Sequence, residues 1–170
     1  RKSTENLILD NFKVSQDNDS LPRRFTYESS SHVENTNKIR FEVSALEENP
    51  ALDRYIDNHP CSSFYHNTQW LLLTKKAFSH DSFTVIAFNA NGAIVGYLPL
   101  TEIRSGLFGH YGISLPFVNY GGPVADSSEI EIGLLEAAQK HCRSRTLQHL
   151  EIRHTKKLID WPVKSEKVSM

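Results

Sequence analysis

Residues 82–104, SFTVIAFNANGAIVGYLPLTEIR, decide the fold. The runs on both sides of Asn91-Gly92 are rich in Val, Ile, Phe and Tyr, as strands are. Asn-Gly accepts the positive φ angles that a type I′ turn requires at both of its central positions. The stretch therefore predicts a β-hairpin, with one strand over residues 82–89 and the returning strand over residues 93–104.

Upstream of the hairpin, the pattern predicts one strand and two helices. Residues 39–45 alternate apolar and polar side chains, which is typical of a half-buried strand. Asn49 and Pro50 suit the N-cap and the first position of a helix that ends near residue 59. A second helix is predicted over residues 69–78, capped by Asn67 or Thr68. We expect its buried side to consist of Trp70, Leu71, Leu73, Ala77 and Phe78.

Downstream of the hairpin, five of the eight glycines fall within residues 105–123 and predict a sharply bending segment. A helix is then predicted over residues 129–143, because Ser128-Glu129-Ile130-Glu131 matches a capping box. A strand over residues 147–153 follows. Trp161-Pro162 predicts a turn, and residues 167–170 resemble the start of another strand. This mixed order indicates an α+β domain (α/β layered), in which helices flank a sheet.

The composition of the 170 residues is that of a soluble globular protein: 39% hydrophobic, 10% aromatic and 23% charged. No stretch approaches the roughly 18 consecutive apolar residues of a membrane-spanning helix, so no transmembrane segment is predicted. Residues 1–38 are polar and lack a sustained apolar period, which predicts a disordered tail before a folded domain over residues 39–170. Cys61 and Cys142 stand far apart without a Cys/His cluster, so neither a metal site nor a disulfide framework is indicated.

The charge is unevenly distributed, although the formal net charge is only -1. Residues 140–170 carry eight Lys or Arg and three Asp or Glu, a net +5. We interpret this segment first as a solvated basic surface. The alternative is an anion site that binds a phosphate or a nucleic acid. RNA binding has less support, because Trp161 is the only aromatic residue in the segment that could stack on bases.

The main candidate site is the loop FVNYGGP at residues 117–123. The Asn119 amide, the Tyr120 hydroxyl and the backbone N–H groups of Gly121 and Gly122 could face a ligand carbonyl or phosphate. A tight turn with a packed tyrosine is the alternative, and we prefer it from the residues alone because Gly-Gly-Pro is ordinary turn chemistry.

Two arginines at strand ends are further candidates for substrate binding. Arg104, followed by Ser105, closes the hairpin, and Arg153 closes the last predicted strand. Arginines in such positions bind phosphates or carboxylates, or they pair with a nearby acid, here Glu102 or Glu151.

An aromatic cluster precedes the second helix. Phe64 and Trp70 suit core packing, whereas Tyr65 and His66 have polar tips that could line a pocket. His66 is a candidate catalytic base, beside Tyr120 as the other candidate catalytic residue.

Four segments, taken in order, resemble the first half of a FemAB-type protein: SSFYHNTQWL (62–71), VGYLPLTEIRSGLFG (95–109), SLPFVNYGGP (114–123) and LEIRH (150–154). The likeness is greatest to the FemAB-related proteins of exopolysaccharide and PEP-CTERM gene neighbourhoods in Gram-negative bacteria, and it covers residues 41–170. It implies a GNAT-like (acyl-CoA N-acyltransferase-like) N-terminal lobe with a mixed twisted sheet, whose second lobe is absent here.

The resemblance also implies an activity, the transfer of an acyl or aminoacyl group to an amine in peptidoglycan or exopolysaccharide metabolism. The implied partners are a small-molecule or lipid-linked glycan or peptide substrate, the second lobe of the same protein, and tRNA as a lesser candidate. The donor, aminoacyl-tRNA or acyl-CoA, stays open, and this lobe alone is expected to be inactive. The implied location is the cytoplasm, with the inner face of the membrane as an alternative.

One departure from the acyltransferase pattern limits the expected cofactors. The signature Arg/Gln-x-x-Gly-x-Gly/Ala would place amides on a pyrophosphate, but Arg104-Ser105-Gly106-Leu107 has no glycine at its fourth position. We therefore expect no cofactor bound by this lobe. A non-catalytic module that binds a glycan, a precursor or a protein with the same fold is the alternative function.

Overall fold

The computed structural model describes residues 5–10, 24–28, 38–107, 109–154 and 163–164. The helices are α1 (Pro50–Asn58), α2 (Thr68–Phe78) and α3 (Ser128–Ser144), with a 3₁₀ turn at Phe64–His66 before α2. The strands are β1 (Glu5–Asp10), β2 (Arg24–Glu28), β3 (Arg40–Ala45), β4 (Asp81–Phe88), β5 (Ile94–Ser105), β6 (Gly109–Ile113), β7 (Val124–Ala125), β8 (His149–His154) and β9 (Val163–Lys164).

The described strands form one mostly antiparallel sheet in the order β2-β3-β4-β5-β6-β8-β1-β9, and β7 pairs with β5. β6 and β8 run parallel, and α3 connects them. The prediction of an α+β layered domain is confirmed.

Helices cover both faces of this sheet. α3 packs its apolar side, including Leu134 and Ala138, against Val85 and Leu98 of the central strands. Because side chains alternate along a strand, the neighbouring Ile86 and Tyr97 point to the opposite face, where α1 packs Leu52 and Ile56 against them. Beside α1, Leu71 of α2 packs with Leu46, Leu115 and Val118.

The hairpin is confirmed as β4 and β5, but its turn is not of type I′. Gly92 has a φ of +78°, whereas Asn91 does not have a positive φ. Asn89 closes the turn instead: its carbonyl oxygen accepts from the Gly92 amide at 2.9 Å, and its side-chain oxygen accepts from the Asn91 and Ala93 amides at 3.0 Å each. A single left-handed residue is sufficient for this geometry.

The helices are confirmed, with two corrections in detail. The buried side of α2 consists of Thr68, Leu71 and Thr74, while Leu73 and Phe78 are more than half exposed. Of the five residues predicted to form its buried side, Leu71 is buried and Trp70 is half-buried, whereas Leu73, Ala77 and Phe78 are exposed. The N-cap of α3 is Ser127, whose hydroxyl accepts from the Ile130 amide at 3.3 Å, and not Ser128.

The described part of residues 1–38 includes two strands, β1 and β2. β1 pairs antiparallel with β8, and β2 pairs antiparallel with β3. These pairings depend on strands far away in the sequence, which a local pattern does not reveal, and the disordered tail over residues 1–38 stays a prediction. The predictions at Trp161-Pro162 and residues 167–170 lie outside the described residues. No helix in the described part of the chain has the length and apolar character needed to cross a membrane.

Candidate functional site

The structure divides the predicted site residues between two places. Arg104 and Ser105 lie at the end of β5, where the tight turn into β6 begins. His66, Asn119, Tyr120, Gly121, Gly122 and Arg153 lie at the far end of β6, around the loop of residues 114–123. Arg104 pairs with His110 across the sheet, whereas the loop begins at Ser114, so the two places are about 13 Å apart along the strand.

The two glycines of the loop are used for close packing. The Gly121 amide donates to the Arg153 carbonyl at 3.0 Å, and a Cβ on Gly121 would lie 2.6 Å from Leu115. A Cβ on Gly122 would overlap the ring of His154. The Gly121 N–H is therefore committed within the protein, as the tight-turn alternative requires.

His66 fastens the 3₁₀ turn to this loop. Its Nδ1 accepts from the Ser63 amide at 3.0 Å, so the ring proton lies on Nε2, which donates to the Gly122 carbonyl at 2.9 Å. Burial lowers the pKa of His66 from its usual value, which favours this neutral form. With both ring nitrogens bonded, His66 positions the loop and has no nitrogen available as a base in this arrangement.

The remaining candidate side chains at this end of the sheet differ in their contacts and in their exposure. Arg153 donates from Nε to Glu151 at 2.9 Å and from Nη1 to the Val118 carbonyl at 2.6 Å. Arg153 therefore pairs with Glu151, which is one of the two roles that the sequence allowed. Tyr65 packs edge-on against Trp70 at 5.4 Å. Tyr120 is half-buried, and Asn119 is exposed.

At the other end, an open surface pocket of about 890 Å³ lies between the described residues that join β5 to β6 and the C-terminus of α3, and we name it the hairpin pocket. It is lined by Arg104, Ser105, Gly106, Gly109, His110, Ser144, Arg145, Thr146 and Gln148. Arg104 has a side chain that is 66% exposed. Sequence reasoning found Arg104 and Ser105 but not their neighbours.

A buried carboxylate, Glu102, lies behind the hairpin pocket. Arg145 binds it in bidentate fashion, with Nε at 2.8 Å and Nη2 at 3.2 Å. Nε2 of His141 and of His110 each lie 3.4 Å from a Glu102 oxygen, and Arg104 lies 3.9 Å away. Burial by itself would raise the pKa of Glu102, but the nearby His141 and the bidentate Arg145 outweigh it and lower the pKa from 4.5 to about 2.

Glu102 therefore stays ionised and fixes the orientation of Arg145. The two residues are 43 positions apart, so no local pattern links them. The one available signal was the net +5 of residues 140–170, which includes Arg145.

A further buried pair lies beside the glycine loop. Nε2 of His154 is 2.6 Å from Oε1 of Glu131, which joins the end of β8 to the first turn of α3. Among the described residues, no group of three or more His, Cys, Asp or Glu is placed to hold a metal ion.

A scan against protein-family models found no match. A search of curated proteins likewise returned none. The function is therefore inferred from the residues and their geometry.

Proposed function

We propose that this chain is one lobe of a transferase that moves an acyl or aminoacyl group onto an amine in cell-envelope peptidoglycan or exopolysaccharide metabolism. The observation that supports it is the β6-α3-β8 unit. Its two strands are parallel, and the loop of residues 114–123, which carries the most specific FemAB-like motif, leaves the carboxyl end of β6 and precedes the N-terminus of α3. The carboxyl ends of parallel strands are where α/β sheets bind ligands.

The loop is anchored there by bonds from both sides. The Gly121 amide bonds the carbonyl of Arg153 on β8, and His66 bonds the carbonyl of Gly122. This anchoring holds the backbone next to Tyr120 and Asn119 at the strand ends. The Tyr120 hydroxyl and the Asn119 amide are groups that can donate hydrogen bonds to the oxyanion that forms when an amine attacks a carbonyl carbon.

These positions suggest a role for each residue in the acyl transfer. The amine nitrogen would bond to the carbonyl carbon, the bond to the donor's carrier would break, and the amine proton would pass to a base outside His66. Tyr120 would stabilise the oxyanion, Tyr65 would form part of the wall, and Arg104 with Ser105 would hold a more distant anionic group of the substrate.

The test uses the complete gene product, since the resemblance implies a second lobe. Acyl-CoA and aminoacyl-tRNA are offered as donors to amine-bearing glycan and peptide acceptors, and the product is detected by its mass. We expect Tyr120→Phe to lower kcat/KM about ten-fold or more with an unchanged melting temperature. Tyr55→Phe is the matched control, because its hydroxyl bonds Asp126 outside the loop. Normal turnover by Tyr120→Phe would remove Tyr120 from the mechanism.

A non-catalytic binding module is the second candidate, favoured by one observation. Both nitrogens of His66 and the amide of Gly121 are already bonded within the protein. Ligand-dependent stabilisation without any product from either donor would support this module over the transferase.

A further inference from the structure

His66 joins two segments that are far apart in the chain. On one side it closes the 3₁₀ turn before α2: its Nδ1 accepts from the Ser63 amide at 3.0 Å and lies 2.9 Å from the Ser63 hydroxyl. On the other side its Nε2 donates to the Gly122 carbonyl at 2.9 Å. His66 is buried, with 5% of its surface exposed. One side chain therefore fastens the glycine loop, residues 114–123, to the start of α2.

These bonds fit only one protonation state of the ring. The Ser63 amide is a donor, so Nδ1 must carry a lone pair, and the Gly122 carbonyl is an acceptor, so Nε2 must carry the proton. A second proton, on Nδ1, would set two N–H groups against each other. The Ser63 hydroxyl can turn to accept that proton, but the Ser63 amide then loses its acceptor. Protonation of His66 therefore breaks the bond that closes the 3₁₀ turn.

The titratable groups that face His66 do not compensate a positive ring. They are the imidazoles of His154 on β8 and of His59 at the end of α1. Each imidazole has a carboxylate beside it: Nε2 of His154 is 2.6 Å from Glu131, and Nε2 of His59 is 3.5 Å from Asp126. Burial lowers the pKa of His66 from its usual 6.5, and the two imidazoles lower it further.

The other charged side chains near the loop have partners of their own. Asp53 on α1 accepts from the hydroxyl of Thr68, in the first turn of α2, at 2.6 Å. Arg153 pairs with Glu151. Among the described residues, His66 makes no ion pair with a carboxylate. A protonated His66 would thus be a buried charge without a counter-ion, which is costly enough to drive the ring into water.

We propose that His66 is an acid-sensitive latch, whose protonation releases the glycine loop from the 3₁₀ turn. When the charged ring leaves its buried site, the Gly122 carbonyl loses its donor. The loop is then held only from the side of β8, and it opens more often. Because Tyr120 and Asn119 lie beside the two glycines, acid disorders the loop that carries both candidate side chains.

The test measures hydrogen exchange at single backbone amides of the complete gene product, from about pH 7.5 to about pH 5. The open loop takes up a proton that the closed loop excludes. The protection factor of the Gly121 amide should therefore fall by up to about ten-fold per pH unit below 6.5. The Ser63 amide should follow it. The Gly92 amide, which bonds the Asn89 carbonyl in the hairpin turn, is the internal control and should keep its protection factor.

His66→Gln separates the latch from other titrating groups. Its side-chain amide can still donate to the Gly122 carbonyl but takes up no proton, so the protection of Gly121 should no longer depend on pH. His80→Gln, a half-buried histidine between α2 and β4, is the matched control and should respond to pH as the wild type does. Constant Gly121 protection in the wild type would overturn the latch. So would an equal fall in His66→Gln, which would assign the response to another group.

A second measurement uses the wild type alone and guards against a variant that fails to fold. NMR follows the ring nitrogens of His66 and the carbonyl carbon of Gly122 as the pH falls. Both signals should change together, with a midpoint below 6.5. A ring that becomes protonated while the Gly122 signal stays unchanged would overturn the latch, as would a ring that stays neutral down to about pH 5.

This inference rests on the proposed function only for what loop release does to transfer, because exchange and NMR are measured without donor or acceptor. Failure of the latch would leave the transferase proposal intact, since that proposal is judged by product formation and by Tyr120→Phe. Absence of product would likewise leave the pH dependence of the loop as measured.

Discussion

At Glu102, one buried carboxylate meets basic side chains from three elements. Arg104 belongs to the same strand, His110 to β6, and His141 and Arg145 to the end of α3. A buried charge is tolerated only when it is paired, and breaking one side of such a pair costs about 3–5 kcal/mol. Glu102 therefore joins the end of α3 to the central sheet as well as shaping the hairpin pocket.

Replacing Glu102 by Gln is expected to destabilise the protein by about 3–5 kcal/mol near pH 7, because Arg145 would lose its carboxylate. The pKa of Glu102 is lowered on folding from 4.5 to about 2, so its stabilising contribution is complete above pH 4.5 and is lost as the pH falls toward 2. Urea unfolding at several pH values measures the free energy of unfolding of both proteins. The difference between wild type and Glu102→Gln should shrink as the pH falls from 4.5 toward 2. Glu47→Gln, the exposed control, should unfold with the same free energy as the wild type. A difference between Glu102→Gln and the wild type that persists at pH 2 would contradict this account.

Sequence reasoning reached only part of this cluster. Glu102 and Arg104 are two residues apart on a strand and so share a face, which made their pairing predictable. Arg145 and His141 arrive at the same point only after α3 has packed on the sheet, and long-range contacts of that kind leave no local pattern. The same holds at His66, whose local aromatic context indicated a pocket but not its bond to the Gly122 carbonyl.

At the scale of elements, the periodic pattern predicted that each described helix exists but not every face or cap. The apolar stripe of α2 contains Leu71, which is buried, and Phe78, which is half exposed and contacts Phe117 with ring centroids 4.5 Å apart. Which stripe faces the core depends on where α2 lies on the sheet. For α3, the capping-box pattern favoured Ser128 as the N-cap, whereas the structure places Ser127 there.

This selection predicts unequal effects of two matched substitutions. Ser127→Ala removes the oxygen that accepts from the Ile130 amide and is expected to cost about 1 kcal/mol. Ser128 is exposed in the first turn of α3. Ser128→Ala should therefore change the free energy of unfolding by less than about 0.5 kcal/mol. Chemical unfolding of both variants measures the difference. A larger loss for Ser128→Ala would restore the cap that the sequence favoured.

At the scale of the whole molecule, the sheet extends on both sides beyond the strands that the sequence predicted. β1 lies between β8 and β9, and β2 lies outside β3. The central hairpin was predictable because its two strands are neighbours in the chain. β1 and β8 pair across almost the full length of the chain, as in the register of Leu7 with Ile152, and a polar composition gave no sign of that pairing.

A chain shortened to begin at residue 39 tests whether these outer strands belong to the fold. Without them, β8 and β3 would each expose an unpaired edge, so we expect a lower melting temperature, by about 2–4 °C for each kcal/mol lost, and concentration-dependent self-association. Thermal scans and light scattering at two protein concentrations measure both effects. A chain lacking only residues 1–4 is the control and should match the full chain. If the longer truncation also melts and scatters like the full chain, residues 1–38 behave as the disordered tail that their composition predicts.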